Sequence, residues 1–580
     1  MAKKKDEEKK ALSRREFLKD TGMVVGGAAL TMGALSLAGC APEAETTTVT
    51  APGTTVTTIK TETATPWLPS KWDYEADVVV VGAGGAGLAA AIEAHDAGAN
   101  VLVLEKDPSS DHYSSTKMSG GSVHYAENAA EAIPYFKAMA FGIGLPSELG
   151  DPPEAYPLIP QDLVEDIAKA WGDGVCHTVD WLQSLGPIEM VISLKKSYPN
   201  FPGGAQYGTA SPLATAGVVV KSGGQTLFSH LSNAVEDREI EILWETPGKR
   251  LVTGGNGEVL GVLAERQGKQ IAVKARKGVV LATGGFQYDE ELRKSFLPGW
   301  KWAFLASPSS TGDGLRMAMS AGAALRRMTH TVGRPTAGAM VGEVGTGVNI
   351  PSNSPGRTVV DNYGRRYFNE DWTMVDPPRY NFNPVMTQFD PLKLEYPRIP
   401  SWVIFDEKVR LAGPVIATFY GVHAVGLYQW SDDNSAEISK GWILKGDSIS
   451  DLADKIKMHQ DNKGRMSAEI LGQTVDKFNN FCVAGNDADF GRSAETLGPL
   501  DEPPYYAVAT YPGAYLGGGP IRNANAQIVN IFGGAIPRLY SAGELGSWFA
   551  FVYTAGAYLA ECIISGRIAG KNAAAETPWS

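Results

Sequence analysis

The residues in this chain best suited to holding a reactive group are glycines. Gly82-Ala83-Gly84-Gly85-Ala86-Gly87 follows an unbroken apolar run, Ala76 to Val81, and precedes a small-residue stretch, Leu88 to Ala97. In such a spacing Gly82 permits a tight turn, Gly84 lets backbone N–H groups approach a pyrophosphate, and Gly87 lets helix and strand pack closely. A helix starting at the glycines turns its positive end toward the phosphates. Glu105 ends a second apolar run, Asn100 to Leu104, and can accept bonds from a ribose diol. The elements needed to position these residues are a strand buried on both faces, a helix, and a second parallel strand. A dinucleotide-binding βαβ unit is therefore expected at the front of the folded body.

Further polar turns favour FAD over NAD as that dinucleotide. Lys106 follows the acid, and the polar loop Ser114 to Met118 runs into Ser119-Gly120-Gly121, suited to a pyrophosphate and a flavin edge. Lys277 to Ala282 is another buried strand, ending in Thr283-Gly284-Gly285. Thr311-Gly312-Asp313-Gly314 caps a helix, and Arg538 to Ala542 is a strand leading to Gly543-Glu544. A helix start near Thr554-Ala555-Gly556 can stabilise negative charge on a reduced flavin. Non-covalent FAD is the expected cofactor. No spacing of His, Cys, Asp or Glu marks a metal site, and the absence of Cys-x-x-Cys-His excludes c-type haem.

Composition bounds the rest. The 580 residues carry a formal charge of −12, so no nucleic-acid partner is expected, and four cysteines cannot make a disulfide-dense scaffold. Cys176, Cys482 and Cys562 are expected to be structural. Ser13-Arg14-Arg15-Glu16-Phe17-Leu18-Lys19, a weakly apolar run from Thr21 to Ala38, and Leu37-Ala38-Gly39-Cys40 resemble a twin-arginine export signal ending in a lipobox. Residues 1–40 thus read as a signal, with lipid attachment at Cys40 the only membrane link, and the body as exported to the periplasm or cell surface. Residues 41–74 begin Thr-rich, without apolar period, and read as a tether.

The motif set GAGGAG at 82–87, SGG at 119–121, ATGGF at 282–286, TGDG at 311–314, YSAGE at 540–544 and SGRIAG at 565–570 resembles the fumarate reductase/succinate dehydrogenase flavoprotein superfamily. The resemblance is to its flavocytochrome c-type fumarate reductases and 3-ketosteroid dehydrogenases, without their haem or FMN domains. It implies an α/β fold: a Rossmann-type FAD-binding domain, discontinuous in sequence (75–340 and 498–580), with an inserted α+β cap domain at 341–497. It also implies hydride exchange between flavin N5 and a carbon–carbon bond activated by a carbonyl, with a separate electron carrier as partner.

The same resemblance points to catalytic residues. Arg410, in Phe405-Asp406-Glu407-Lys408-Val409-Arg410, matches the proton-donating Arg of fumarate reductases, and Glu370 the relay carboxylate. An ion pair of Glu370 with Arg365 or Arg366 is an equal reading, and the family's Arg shortly after that Glu is missing. The His and Arg that clamp a dicarboxylate are also missing: Tyr515 stands near the first position and Tyr553 at the second. Buried carboxylates need charge-assisted partners, so a dicarboxylate substrate is not expected. Tyr553 resembles the Tyr that holds the ketone in 3-ketosteroid dehydrogenases. With Trp548, Phe549, Phe551 and Tyr558 it suggests an apolar pocket for a hydrophobic small-molecule enone, steroid-like in the most concrete case. The alternatives are ketone desaturation by the same site and, from another class, an electron-transfer flavoprotein subunit.

Overall fold

The computed structural model describes residues 46–51, 54–59, 68–145, 161–194, 198–213, 222–371, 382–549 and 552–579. The signal at 1–40, with Cys40, lies outside them, as does Phe551. Two compact units divide the chain, residues 1–68 and 69–580. In the first, Thr46–Ala51 and Thr54–Ile59 pair antiparallel from Thr46 opposite Ile59 to Ala51 opposite Thr54. Part of the expected tether is thus a ribbon, for which alternating β-branched Thr and Val are well suited. The second unit begins earlier than expected. Trp72 packs against Val252, Leu263 and Ala272, and the Asp73 N–H donates to the Ala272 carbonyl at 2.8 Å, so 69–74 belong to the body and not to a tether.

The body's main sheet runs Gln527–Val529, Ala535–Ser541, Lys269–Leu281, Tyr74–Val81, Val101–Leu104, Glu241–Leu243. All neighbours after the first pair are parallel. This is the expected discontinuous Rossmann-type sheet: Val78 and Val80 share a core with helix residues such as Ile92 and Ile563, and Val79 and Val81 one with Leu251, Val259 and Val262 of two antiparallel strands. Helix Gly85–Asp96 crosses helix Ala557–Ala575 at close range. A Cβ on Gly566 would lie 2.5 Å from the Ala86 carbonyl oxygen, and one on Gly570 2.1 Å from that of Ala90. The small residues of SGRIAG are therefore spent on packing, which fixes the C-terminal helix against the first βα turn.

The inserted region builds an antiparallel six-stranded sheet around Ser401–Asp406 and Tyr505–Tyr511, which pair from Ser401–Thr510 to Asp406–Tyr505. This sheet draws in Thr336–Ala337 and Tyr505–Tyr511, from either side of the 341–497 insert expected from sequence. The insert's two crossings are thus strands of its own sheet, a pairing between distant segments that no local pattern announces. Among the described residues no helix is long and apolar enough to cross a membrane.

Candidate functional site

The carboxyl ends of the parallel strands open into a cleft lined by the glycine turn, Glu105, Thr283, Gly284, Gly543 and Glu544. Its floor is the first glycine turn. Gly82 has φ +105°, and a Cβ there would lie 2.6 Å from the Ala282 carbonyl oxygen. A Cβ on Gly87 would lie 1.8 Å from the Gly82 oxygen, whereas one on Gly84 would meet no protein atom within 4 Å. Gly87 is thus required by packing, and Gly84 by whatever fills the cleft. The Gly85 N–H donates to Thr116 Oγ1 at 3.1 Å, tying the polar loop to the turn.

Glu105 is buried at the tip of its strand, where Oε2 accepts the Ala83 N–H at 2.6 Å and Oε1 the Asp107 N–H at 3.0 Å. Those bonds orient the carboxylate and leave lone pairs for a ribose diol. Lys106 and Asp313, read from sequence as separate ligands, pair with each other at 2.8 Å, and Lys106 also donates to Thr311 Oγ1 at 2.6 Å. Thr283, Gly284, Gly543 and Glu544 line the same cleft. Glu544 accepts from Gln287 Nε2 at 2.5 Å and from the Leu516 N–H at 3.1 Å, and burial pushes its carboxyl up to about 7. Two buried polar atoms on cleft-lining residues, His112 Nδ1 and Thr283 Oγ1, have no partner among the described residues. A polar dinucleotide fits such a surface, because buried polar groups are normally satisfied.

Other expected cofactor residues do not line this cleft. Ser119 Oγ donates to the Thr116 carbonyl at 2.7 Å and accepts the Gly121 N–H at 3.1 Å, so this turn holds itself. Gly121, at φ +81°, is pressed against Gly223, where a Cβ would come within 2.1 Å. Gly120 faces Phe419 of the inserted region. Ala555 and Gly556 form the turn before helix Ala557–Ala575, with Gly556 at φ +91°.

That turn is anchored by a network the sequence did not reveal. His124, wholly buried, bonds Tyr207 Oη through Nδ1 at 2.8 Å and Thr554 Oγ1 through Nε2 at 2.6 Å, while Trp171 Nε1 donates to Tyr207 at 3.0 Å. Indole N–H can only donate, so the Tyr207 oxygen accepts from Trp171 while sharing a hydrogen with the His124 ring, whose other nitrogen is held by Thr554 Oγ1. Burial lowers the His124 pKa to about 3, so the ring is neutral.

Beside the turn stand three tyrosines. The Tyr515 ring lies 6.3 Å from Tyr553 and 6.0 Å from Tyr558, and Tyr553 lies 5.3 Å from Tyr558. Both tyrosines expected from sequence are thus brought together. Tyr515 also packs with Leu305, Ala514 and Tyr420, and Tyr420 Oη accepts from Arg334 at 2.5 Å. Arg334 was not foreseen, for nothing in its spacing marks it. Trp548 and Phe549, expected to line a pocket, are 1% exposed. Phe549 packs on Phe136, Trp171 and His124, so both belong to the core beneath.

Glu370 and Arg410 stand apart from one another in their bonding. Wholly buried Glu370 accepts from Arg366 Nε at 2.9 Å, Arg366 Nη2 at 2.6 Å and Thr358 Oγ1 at 2.8 Å. Arg366 also holds Asp487, at 2.8 Å. Arg410 forks onto Glu407 at 2.7 and 2.5 Å and donates to the Asp433 carbonyl at 3.0 Å. Its hydrogen bonds to Glu407 raise it above the ordinary guanidinium range, against proton release.

Residues 77–557 match the FAD-binding-2 family, described as an FAD binding domain. The chain belongs to that family. It is an FAD-dependent oxidoreductase of the class acting on CH–CH and C=C bonds. It is similar to a digoxin reductase of Eggerthella lenta, 28% identical over 98% of each chain. A fumarate reductase (cytochrome) of Shewanella frigidimarina is 27% identical, over 86% of this chain and 77% of that one. Among solved structures, 3-ketosteroid Δ1-dehydrogenase from Sterolibacterium denitrificans superposes with a TM-score of 0.70 at 23% identity, over 86% of this chain and 99% of that one. The family and fold implied by the glycine motifs are therefore those of this chain.

Proposed function

We propose that this protein reduces the C=C bond of an apolar, non-dicarboxylate α,β-unsaturated carbonyl, with a steroid-like enone as the most concrete substrate. The observation that carries the proposal is the convergence of Tyr515, Tyr553 and Tyr558, whose rings lie 5.3 to 6.3 Å apart; by the family resemblance, Tyr553 stands at, and Tyr515 near, a position where fumarate reductases carry a clamping cation. Phenols are neutral donors that can polarise a carbonyl and stabilise a developing enolate. The 28% identity to a digoxin reductase supports the reading of this chain as a reductase of a steroid-like substrate.

FAD held by the glycine turn, Glu105 and Thr283 would, once reduced, supply the hydride that the β-carbon needs. Tyr553 holds the carbonyl oxygen, and a tyrosine of the cluster delivers the α-carbon proton, since Arg410 is committed to Glu407 and Asp433. Arg410 is the alternative donor. Run backwards, the same groups desaturate a saturated ketone. Burial pushes the Cys562 thiol at the cleft up to about 12, which keeps it protonated and supports non-covalent FAD. We further propose export through the Arg14-Arg15 signal, lipid anchoring at Cys40, and a separate electron carrier. The test is anaerobic mixing of dithionite-reduced enzyme with a panel of enones and enoates. Enones reoxidise the flavin if the proposal holds; oxidation by dicarboxylates alone removes it.

A further inference from the structure

The Tyr558 hydroxyl is an unpaired donor in a crowded place. Its Oη is shut off from solvent and has no hydrogen-bond partner among the described residues. The ring is held on both sides, 6.0 Å from Tyr515 and 5.3 Å from Tyr553, at the first turn of helix Ala557–Ala575. Burial, followed by the nearby Glu544 carboxylate, drives its pKa well above the usual phenol value, so it is a neutral donor at any physiological pH. Glu544 lines the dinucleotide cleft. Tyr558 is therefore near enough to a cleft-lining carboxylate to feel its charge, while its ring belongs to the tyrosine cluster.

Leaving a buried donor unmade costs on the order of 1–3 kcal/mol, which a fold does not retain without a return elsewhere. Removing the oxygen would relieve that cost without disturbing the ring packing. We propose that Tyr558 is a ligand-contacting residue whose hydroxyl donates to an acceptor oxygen arriving with the bound molecules. That oxygen is either a carbonyl of the flavin ring or the carbonyl of the substrate. The substrate alternative rests on the enone reading above; the flavin alternative does not. Neither Glu370 nor Arg410 competes for this role, since Arg366, Glu407 and Asp433, which hold them, lie within the inserted region.

Tyr558→Phe in the FAD-loaded enzyme tests this, because it deletes only the unpaired oxygen. Two properties are read: binding of 4-androstene-3,17-dione to the oxidised enzyme by flavin difference absorbance, and the bound flavin's reduction potential by dye equilibration. One neutral hydrogen bond corresponds to a change of up to about tenfold. A loss of about that size in steroid affinity with an unmoved potential assigns the acceptor to the substrate. A shift of similar size in the relative binding of oxidised and reduced flavin, with steroid affinity retained, assigns it to the flavin. If both stay within about twofold, a change too small for a lost hydrogen bond, the inference is overturned. Should wild-type enzyme bind no steroid at all, the enone reading fails, and the potential alone still decides the role of Tyr558.

Discussion

Glu370→Gln should cost the inserted region its stability without depriving the reaction of a proton. Glu370 has no solvent exposure and spends its carboxylate on Arg366 at 2.6 and 2.9 Å, on Thr358 at 2.8 Å and on the Val359 N–H at 3.2 Å. Arg492 lies 3.7 Å away, so two buried cations face this one acid. Glutamine keeps the shape but turns an amide NH2 toward guanidinium hydrogens and removes the negative charge. Breaking a buried ion pair by neutralising one partner costs roughly 3–5 kcal/mol. Because Asp487 still holds Arg366, the lower end of that range, about 3 kcal/mol, is expected. Urea unfolding followed by tryptophan fluorescence measures this cost, and single-turnover flavin reoxidation per folded molecule measures the chemistry. Turnover should remain within about threefold, a change of under 1 kcal/mol in the barrier. Unchanged stability with turnover lost by about a hundredfold, near 2.7 kcal/mol in the barrier, would make Glu370 a proton relay and refute this assignment.

Gly84→Ala should fold but purify with little flavin, because its Cβ enters only the cleft, whereas Gly87→Ala should fail to accumulate, its Cβ lying 1.8 Å from the Gly82 oxygen; flavin content per soluble protein separates them. Arg410→Ala should leave single-turnover reoxidation within about threefold, and a loss beyond about a hundredfold would restore Arg410 as the proton donor. His112 is buried between the Phe228 and Trp244 rings, and desolvation lowers its pKa from 6.5 to about 4. Its folded pKa is depressed, so its contribution is complete above 6.5 and falls as the unfolded chain takes up a proton that the native ring refuses. Relative to His112→Phe, the stability of the wild type should therefore decline by about 1.4 kcal/mol per pH unit between pH 6 and 4. Parallel pH profiles would show that the ring titrates normally.

The dinucleotide half of this protein was legible because its signals are local. Six residues with four glycines follow a strand and open a helix; the roles of Gly82 and Gly87 appear in what a Cβ would strike, and that of Gly84 in the open space before it. Non-local partnerships were not legible. Lys106 and Asp313 are 207 positions apart, and each alone resembled a cofactor ligand until they were seen to pair. Aromatic side chains misled for a related reason: Trp548 and Tyr553 are equally suited to a core and to a pocket wall, and only the fold shows that Trp548 is buried while Tyr553 joins the tyrosine cluster. The His124 network depends on four separate segments, so its members carry no common spacing. The Thr-rich ribbon at 46–59 carried a signal, alternating β-branched residues, that its lack of apolar character obscured.

The central claim is that a conjugated carbon–carbon bond beside a neutral ketone receives the electrons of the flavin. It is tested most directly by mixing reduced enzyme anaerobically with one equivalent of 4-androstene-3,17-dione and following two absorbances together. Flavin reoxidation should proceed in step with loss of the conjugated-enone ultraviolet band. Reoxidation by fumarate while the enone band stays intact would contradict the account.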